Sequence, residues 1–268
     1  MKIALQSFGV GYVSQGDSPT AKGERITMLK RVKQCGYEGI EMGTPPGFTP
    51  QEFKDFMDDL GLQIVSAGGI NLNATDFDAK LEEFRILGVK NTMIGYTPEI
   101  TLGNPYELGK FIDNLNRVGK ILMEGGGVHL SYHNHAIDFA KVYGKDGKTV
   151  METIMDETDP AYVFFEPDTF WIQAGGGHVI TWLKKLKGRM YTVHFKDYGI
   201  DQYSDHTFLE GTHQIFTEIG NGNLNWPGII EEVRNQGIEW VVVEQDRMQR
   251  PSYESIKISC DNLRKFLA

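Results

Sequence analysis

The sequence alternates between short strand-like runs and helix-like runs along its 268 residues. The strand-like runs are rich in Val, Ile, Phe and Tyr, as expected for strands that are covered on both faces. We expect eight strands, each followed by a helix, over 2–8, 37–43, 62–68, 91–96, 130–135, 163–168, 191–197 and 240–246. Eight β-then-α units predict an α/β fold, a parallel (β/α)8 TIM barrel.

Two helix starts carry clear local signals. Thr49 can cap a helix that begins at Pro50, with Glu52 completing a capping box. Asn104 and Pro105 repeat this arrangement before a long amphipathic run. No linker divides the chain, so we expect one barrel domain over residues 1–268. An open doubly wound sheet is the alternative, but it would need a glycine-rich phosphate turn that the first strand lacks.

Composition narrows the choice of partners. A net charge of −9 and a pI near 5.3 argue against binding of nucleic acid. The sequence has no apolar stretch of membrane-spanning length and no signal-peptide cleavage site, so we expect no membrane partner and a cytoplasmic location. Cys35 and Cys260 lack metal-ligand spacing and are expected to be buried free thiols.

Four strand-like runs of the second half end in residues that can hold a divalent metal. These residues are His133, Asp168, His194 and Glu244. Because the carboxyl ends of barrel strands meet at one mouth, we expect the four side chains to converge. Two imidazoles and two carboxylates suit manganese, zinc, cobalt or iron, and magnesium is a further candidate.

The alternation of side chains along a strand extends this group. Glu166 shares a face with Asp168, and Lys196 shares a face with His194. Glu166 is expected to be either a catalytic carboxylate or a buried, hydrogen-bonded one beneath the site. Lys196 is expected to be either an acid/base group or an ion-pair partner of Asp168 or Glu244. The residues expected to point towards the helices instead are Phe165, Phe195 and Val243.

The motifs YHNH, DTFW, HFKD, EIGNGNLNW and VVEQD, in this order, resemble the sugar phosphate isomerase/epimerase family with xylose-isomerase-like barrels. The similarity covers most of the chain. It implies a divalent metal at the barrel mouth, held by a Glu after strand five, an Asp after strand six, a His after strand seven and a Glu after strand eight. Asp168, His194 and Glu244 match that pattern, whereas His133 stands where the family has its first Glu.

The resemblance implies a metal-dependent sugar isomerase or epimerase that transfers a proton next to a metal-bound carbonyl. Ketose 3-epimerases of the family use their two metal-bound Glu residues as an acid/base pair. Here Glu244 is expected on one side of the substrate, with His133, Glu166 or Lys196 supplying the second group. The departure at His133 also leaves open an inosose-dehydratase-like or keto-sugar lyase. A non-catalytic sugar-binding barrel is the alternative from a different class.

Three further residues are expected to contact a small carbohydrate or polyol. Glu41 ends the second strand and is expected to bind a hydroxyl group. His135 is either an alternative ligand or a support for the metal ligands. Trp171 offers an apolar face to a sugar ring, although large aromatics often simply pack against loops. Whether the substrate is phosphorylated, and whether the chain forms a homo-oligomer, the sequence leaves open.

Overall fold

The computed structural model describes residues 1–10, 19–95, 101–202 and 212–268. Its strands are β1 Lys2–Gln6, β2 Gly39–Glu41, β3 Gln63–Ser66, β4 Asn91–Ile94, β5 His129–His133, β6 Val163–Glu166, β7 Thr192–Phe195, β8 Asp197–Gln202, β9 Thr212–Thr217 and β10 Trp240–Val243. Its helices are α1 Pro19–Gln34, α2 Pro50–Leu60, α3 Asp78–Leu87, α4 Pro105–Gly126, α5 Val150–Glu157, α6 Thr169–Ala174, α7 Val179–Lys185, α8 Trp226–Asn235 and α9 Ser252–Leu267. The last residue of the predicted fourth strand, Tyr96, lies outside the described ranges.

Eight of these strands form a closed parallel barrel. Five pair in the order β3-β2-β1-β10-β7, and three pair in the order β4-β5-β6. Parallel bridges between Asp168 and His194 and between Phe165 and Met190 join β6 to β7. On the other side, the Ala67 amide donates to the Asn91 carbonyl at 3.3 Å and joins β3 to β4. The predicted TIM barrel is therefore confirmed.

The two faces of each strand have different environments. Phe165, Phe195 and Val243 belong to the large apolar core between strands and helices, as predicted from the alternation. A small second cluster, which includes Val65 and Trp240, fills the barrel interior. Apolar packing thus fills part of the barrel, and the ionisable side chains lie further along the same inward-facing positions, towards the mouth.

Local capping explains why the helix boundaries could be predicted. Thr49 accepts a hydrogen bond from the Glu52 amide, and the Glu52 side chain accepts one from the Thr49 amide. The Asn104 side chain accepts from the Tyr106 amide at the start of α4. Gly127 ends that helix with a φ of 61°, a conformation that glycine adopts without strain. None of the helices in the described ranges has the length and apolar character needed to cross a bilayer.

The expectation that a helix directly follows every strand is wrong after β7. Strands β8 and β9 form an antiparallel hairpin there, pairing Asp197 with Thr217, before α8 begins. The short helix α6 was also not predicted. THQIFT has polar residues on both faces, and DYGIDQ contains a Gly and only two apolar residues, so both give little strand signal. The hairpin packs Phe216 against Phe170, with ring centroids 4.3 Å apart, and so adds to one wall of the mouth.

Candidate metal centre

The four predicted ligand residues lie together at the mouth. His133, Asp168, His194 and Glu244 are all buried, and one donor atom of each lies within 4.8 Å of the others. His194 Nδ1 is 2.9 Å from Glu244 Oε2, and His133 Nε2 is 3.9 Å from both Asp168 Oδ2 and Glu244 Oε2. Such spacings suit a cation that is bound to nitrogen and oxygen at about 2.0–2.2 Å.

Asp168 is held so that one of its oxygens faces this group. Its Oδ1 accepts the Trp171 amide at 2.9 Å and caps α6, while its own amide donates to Asn134 Oδ1 at 2.9 Å. Its Oδ2 is buried and makes no well-aligned hydrogen bond with the described residues, and the Lys196 ammonium lies 3.0 Å from it. This oxygen, one further carboxylate and two imidazoles converge at the mouth, and this donor set fits a bound divalent metal.

A second group of carboxylates supports His194 from the opposite side of its ring. His194 Nε2 lies 3.2 Å from Glu41 Oε1 and 3.2 Å from Glu166 Oε2. Glu166 also accepts a hydrogen bond from the Thr192 hydroxyl. Metal-binding histidines commonly donate their other ring N–H to a carboxylate in this way. The geometry favours contact of Glu41 and Glu166 with His194, and their substrate and catalytic roles stay predictions.

These buried carboxylates give the site an excess of negative charge. Burial, together with the neighbouring Glu166 carboxylate, raises the pKa of Glu41 to about 7. Burial alone would lower the pKa of His194, but the carboxylates of Glu166, Glu41 and Glu244 outweigh it and raise that pKa well above its usual value. A divalent cation at the mouth would neutralise part of this charge.

Lys196 lies among the carboxylates of the mouth with its side chain 1% exposed. Its Nζ is 3.0 Å from Asp168 Oδ2, 2.8 Å from Glu244 Oε2 and 2.7 Å from Asp246 Oδ2. Burial would lower the pKa of Lys196, but these three carboxylates outweigh it and raise the pKa, so the ammonium is charged. The predicted ion pairs with Asp168 and Glu244 are present. Asp246 was not predicted as a partner, although its shared face with Glu244 was the available signal.

Aromatic side chains form one wall beside Lys196. The Trp171 ring lies 5.5 Å from that of His135 and 5.5 Å from that of Phe216. His135 is adjacent to His133, with ring centroids 4.9 Å apart, but it is outside the four-residue group. Phe216 was not predicted as a site residue, because it reaches the mouth through the unpredicted hairpin. The wall offers apolar faces at the position where a substrate ring could lie.

The chain is an α/β barrel with a buried group of two imidazoles and two carboxylates at its mouth. The chain belongs to the xylose isomerase-like TIM barrel family, whose sequence pattern matches residues 29–266.

Several named proteins are similar to this chain in sequence or in structure. An inosose dehydratase of Mesomycoplasma hyopneumoniae (strain 7448) is 27% identical over 274 aligned residues, which cover 90% of this chain and 88% of that protein. The crystal structure of a sugar phosphate isomerase/epimerase from Parabacteroides distasonis ATCC 8503 superposes with a TM-score of 0.76 at 22% identity and covers 100% of both chains. The zinc-bound structure of the IOLI protein gives 0.69 at 16% identity, covering 100% of this chain and 98% of that one. The relatives are enzymes, and the prediction that this chain is an enzyme is confirmed.

Proposed function

We propose that this protein is a divalent-metal-dependent lyase that removes water from a small keto-polyol, beginning with loss of the proton next to the carbonyl. The observation that carries the proposal is the pairing of one reachable carboxylate, Glu244, with the Lys196 ammonium 2.8 Å away. A base and an acid side by side suit an elimination.

The cation would be held by His133 Nε2, Asp168 Oδ2, His194 Nδ1 and Glu244 Oε2, the atoms that face one another at the mouth. When bound, it would supply Lewis acidity that lowers the cost of forming an enolate. Two imidazole donors favour zinc, manganese, cobalt or iron over magnesium, which prefers oxygen ligands.

Glu244 is the best-placed base because a substrate can reach it. Glu244 is 8% exposed, whereas Asp168 and Glu166 are fully buried. Burial would raise the pKa of Glu244, but the charges of Lys196 and His194 hold it well below the usual range. Glu244 is therefore ionised, which is the state that a general base needs before it accepts a proton.

Lys196 is the best-placed acid for the departing hydroxyl group. When Glu244 takes the carbon-bound proton, Lys196 loses one of the carboxylates that raise its pKa. The ammonium then becomes a stronger acid at the moment when the C–O bond breaks and a carbon–carbon double bond forms. Its proton leaves with the hydroxyl as water, so the step is balanced without an oxidant or reductant.

An epimerase needs proton-transfer groups on opposite faces of the substrate, and the described residues favour this less. His133 turns its Nε2 towards the ligand oxygens, and Glu166 lies in contact with His194. The full-length relatives named inosose dehydratase add support for inososes as substrates. The isomerase or epimerase predicted from the sequence shares the first proton transfer, so one assay separates the reactions.

The test is incubation of zinc- or manganese-loaded protein with inososes, ketoses and 3-keto-glycosides in deuterated water. A lyase gives a product that has lost one water, whereas an isomerase or epimerase gives a product isomer with deuterium on carbon. Glu244→Gln should abolish both exchange and product, and Glu239→Gln, at an exposed position on the barrel, should not. A product without water loss would replace the lyase with an isomerase or epimerase. Absence of both conversion and stoichiometric metal would indicate a non-catalytic barrel.

A further inference from the structure

Lys196 and the proposed cation would share two carboxylate oxygens. Asp168 Oδ2 and Glu244 Oε2 belong to the four-residue ligand group, and both lie within 3.0 Å of Lys196 Nζ. Two positive charges drawn to the same oxygens repel each other strongly in a buried site. The ammonium therefore needs another anion when the cation takes those oxygens.

Lys196 cannot move into solvent to avoid this conflict. Its nitrogen lies 5.2 Å from the centre of the Trp171 ring and 5.7 Å from that of Phe216, and its side chain is 1% exposed. Its backbone is fixed by the Thr169 hydroxyl, which accepts from the Lys196 amide at 2.9 Å and donates to the Lys196 carbonyl at 2.8 Å. Asp246 is the neighbouring carboxylate that remains, with Oδ2 2.7 Å from Nζ.

We propose that Asp246 is a positioning residue, which holds the Lys196 ammonium beside the metal so that the cation and the lysine can occupy the mouth together. Asp246 lies two residues after Glu244 on the same face and outside the ligand group. The proposal rests on the proposed metal site. It implies that Asp246 affects metal affinity mainly through Lys196. The direct effect of the Asp246 charge on the cation is weak, because the Asp246 side chain is 28% exposed and solvent screens its charge.

The experiment is a titration of metal-free protein with Mn²⁺, following the free ion by electron paramagnetic resonance. It uses the wild type, Asp246→Asn, Lys196→Met and the double variant. Asp246→Asn should weaken binding about tenfold or more, within the range for partners that orient metal ligands. Lys196→Met should bind at least as tightly as the wild type. In that background Asp246→Asn should change the affinity by less than about threefold, because the residue through which it acts is gone.

Equal effects of Asp246→Asn in both backgrounds would overturn the proposal, since they would show a direct effect of the charge on the cation. An unchanged affinity in the wild-type background would overturn it as well. Failure of the wild type to bind Mn²⁺ or Zn²⁺ stoichiometrically would refute the metal site itself, which separates the two failures. Circular dichroism checks that each variant is folded, and Lys196→Gln replaces Lys196→Met if the latter is unfolded.

Discussion

Replacement of Glu41 by Gln should remove a large part of the pH dependence of stability in the metal-free protein. Burial and the Glu166 carboxylate raise the pKa of Glu41 from 4.5 to about 7. The folded state therefore binds a proton over a pH range where the unfolded state has released it. The contribution of Glu41 to stability is fully present below the pKa of the unfolded state. It is lost as the pH rises through the pKa of the folded state.

The expected size follows from these two pKa values. Each pKa unit is worth about 1.4 kcal/mol, so the difference corresponds to roughly 3 kcal/mol in total, of which about 2.5 kcal/mol falls between pH 5 and pH 8. Urea unfolding with a chelator present at both pH values measures the loss of stability. In Glu41→Gln the fall in unfolding free energy between pH 5 and pH 8 should be smaller than in the wild type by about 2–3 kcal/mol. The altered contact with His194 shifts the stability at both pH values equally, so it does not affect this difference. A profile identical to those of the wild type and of the exposed control Glu239→Gln would refute the reasoning.

Three further changes test the mouth directly. His194→Ala should weaken metal binding by more than the roughly 10–100-fold typical of losing a residue that hydrogen-bonds to a metal ligand. Metal content after dialysis measures the effect, and unchanged occupancy would contradict the assignment of His194 as a ligand. Glu244→Gln should lower turnover by at least about 10²–10⁴-fold, and an active variant without solvent exchange would indicate a hydride shift in place of enolisation. Trp171→Ala should raise KM by a few-fold up to about tenfold, with folding unaffected, and an unchanged KM would indicate that the ring only packs against its neighbours.

Strand periodicity predicted the face and the end of the barrel on which the four ligand residues lie. His133, Asp168, His194 and Glu244 end strands of one barrel, and the alternation of side chains placed all four on the inward face. The structure brings one donor atom of each residue within 4.8 Å of the others. The same reasoning placed Phe165 on the opposite, helix-facing side.

The partners of these residues could not be predicted in the same way. Glu41 was expected to face a substrate hydroxyl, and its close neighbour is His194, which lies 153 positions away in the chain. Parity predicts the face of a strand but not which side chains touch across the barrel, because contact depends on strand tilt and register. The register between β2 and β3 shifts at Glu41 itself, which no local pattern indicates. Phe216 was missed for a related reason, since its hairpin is stabilised by pairing between two strands with weak individual signals.

The histidine after β5 shows how one departure from the family pattern can shape a reaction. The sequence alone left open whether His133 replaces the missing Glu as a base or marks a different chemistry. Burial lowers the pKa of His133 well below its usual value, so the ring is neutral. A neutral imidazole with Nε2 directed at the ligand oxygens suits metal binding better than proton abstraction. Glu244 and Lys196 are in contact with each other, and a single acid/base pair in contact favours elimination over inversion at carbon.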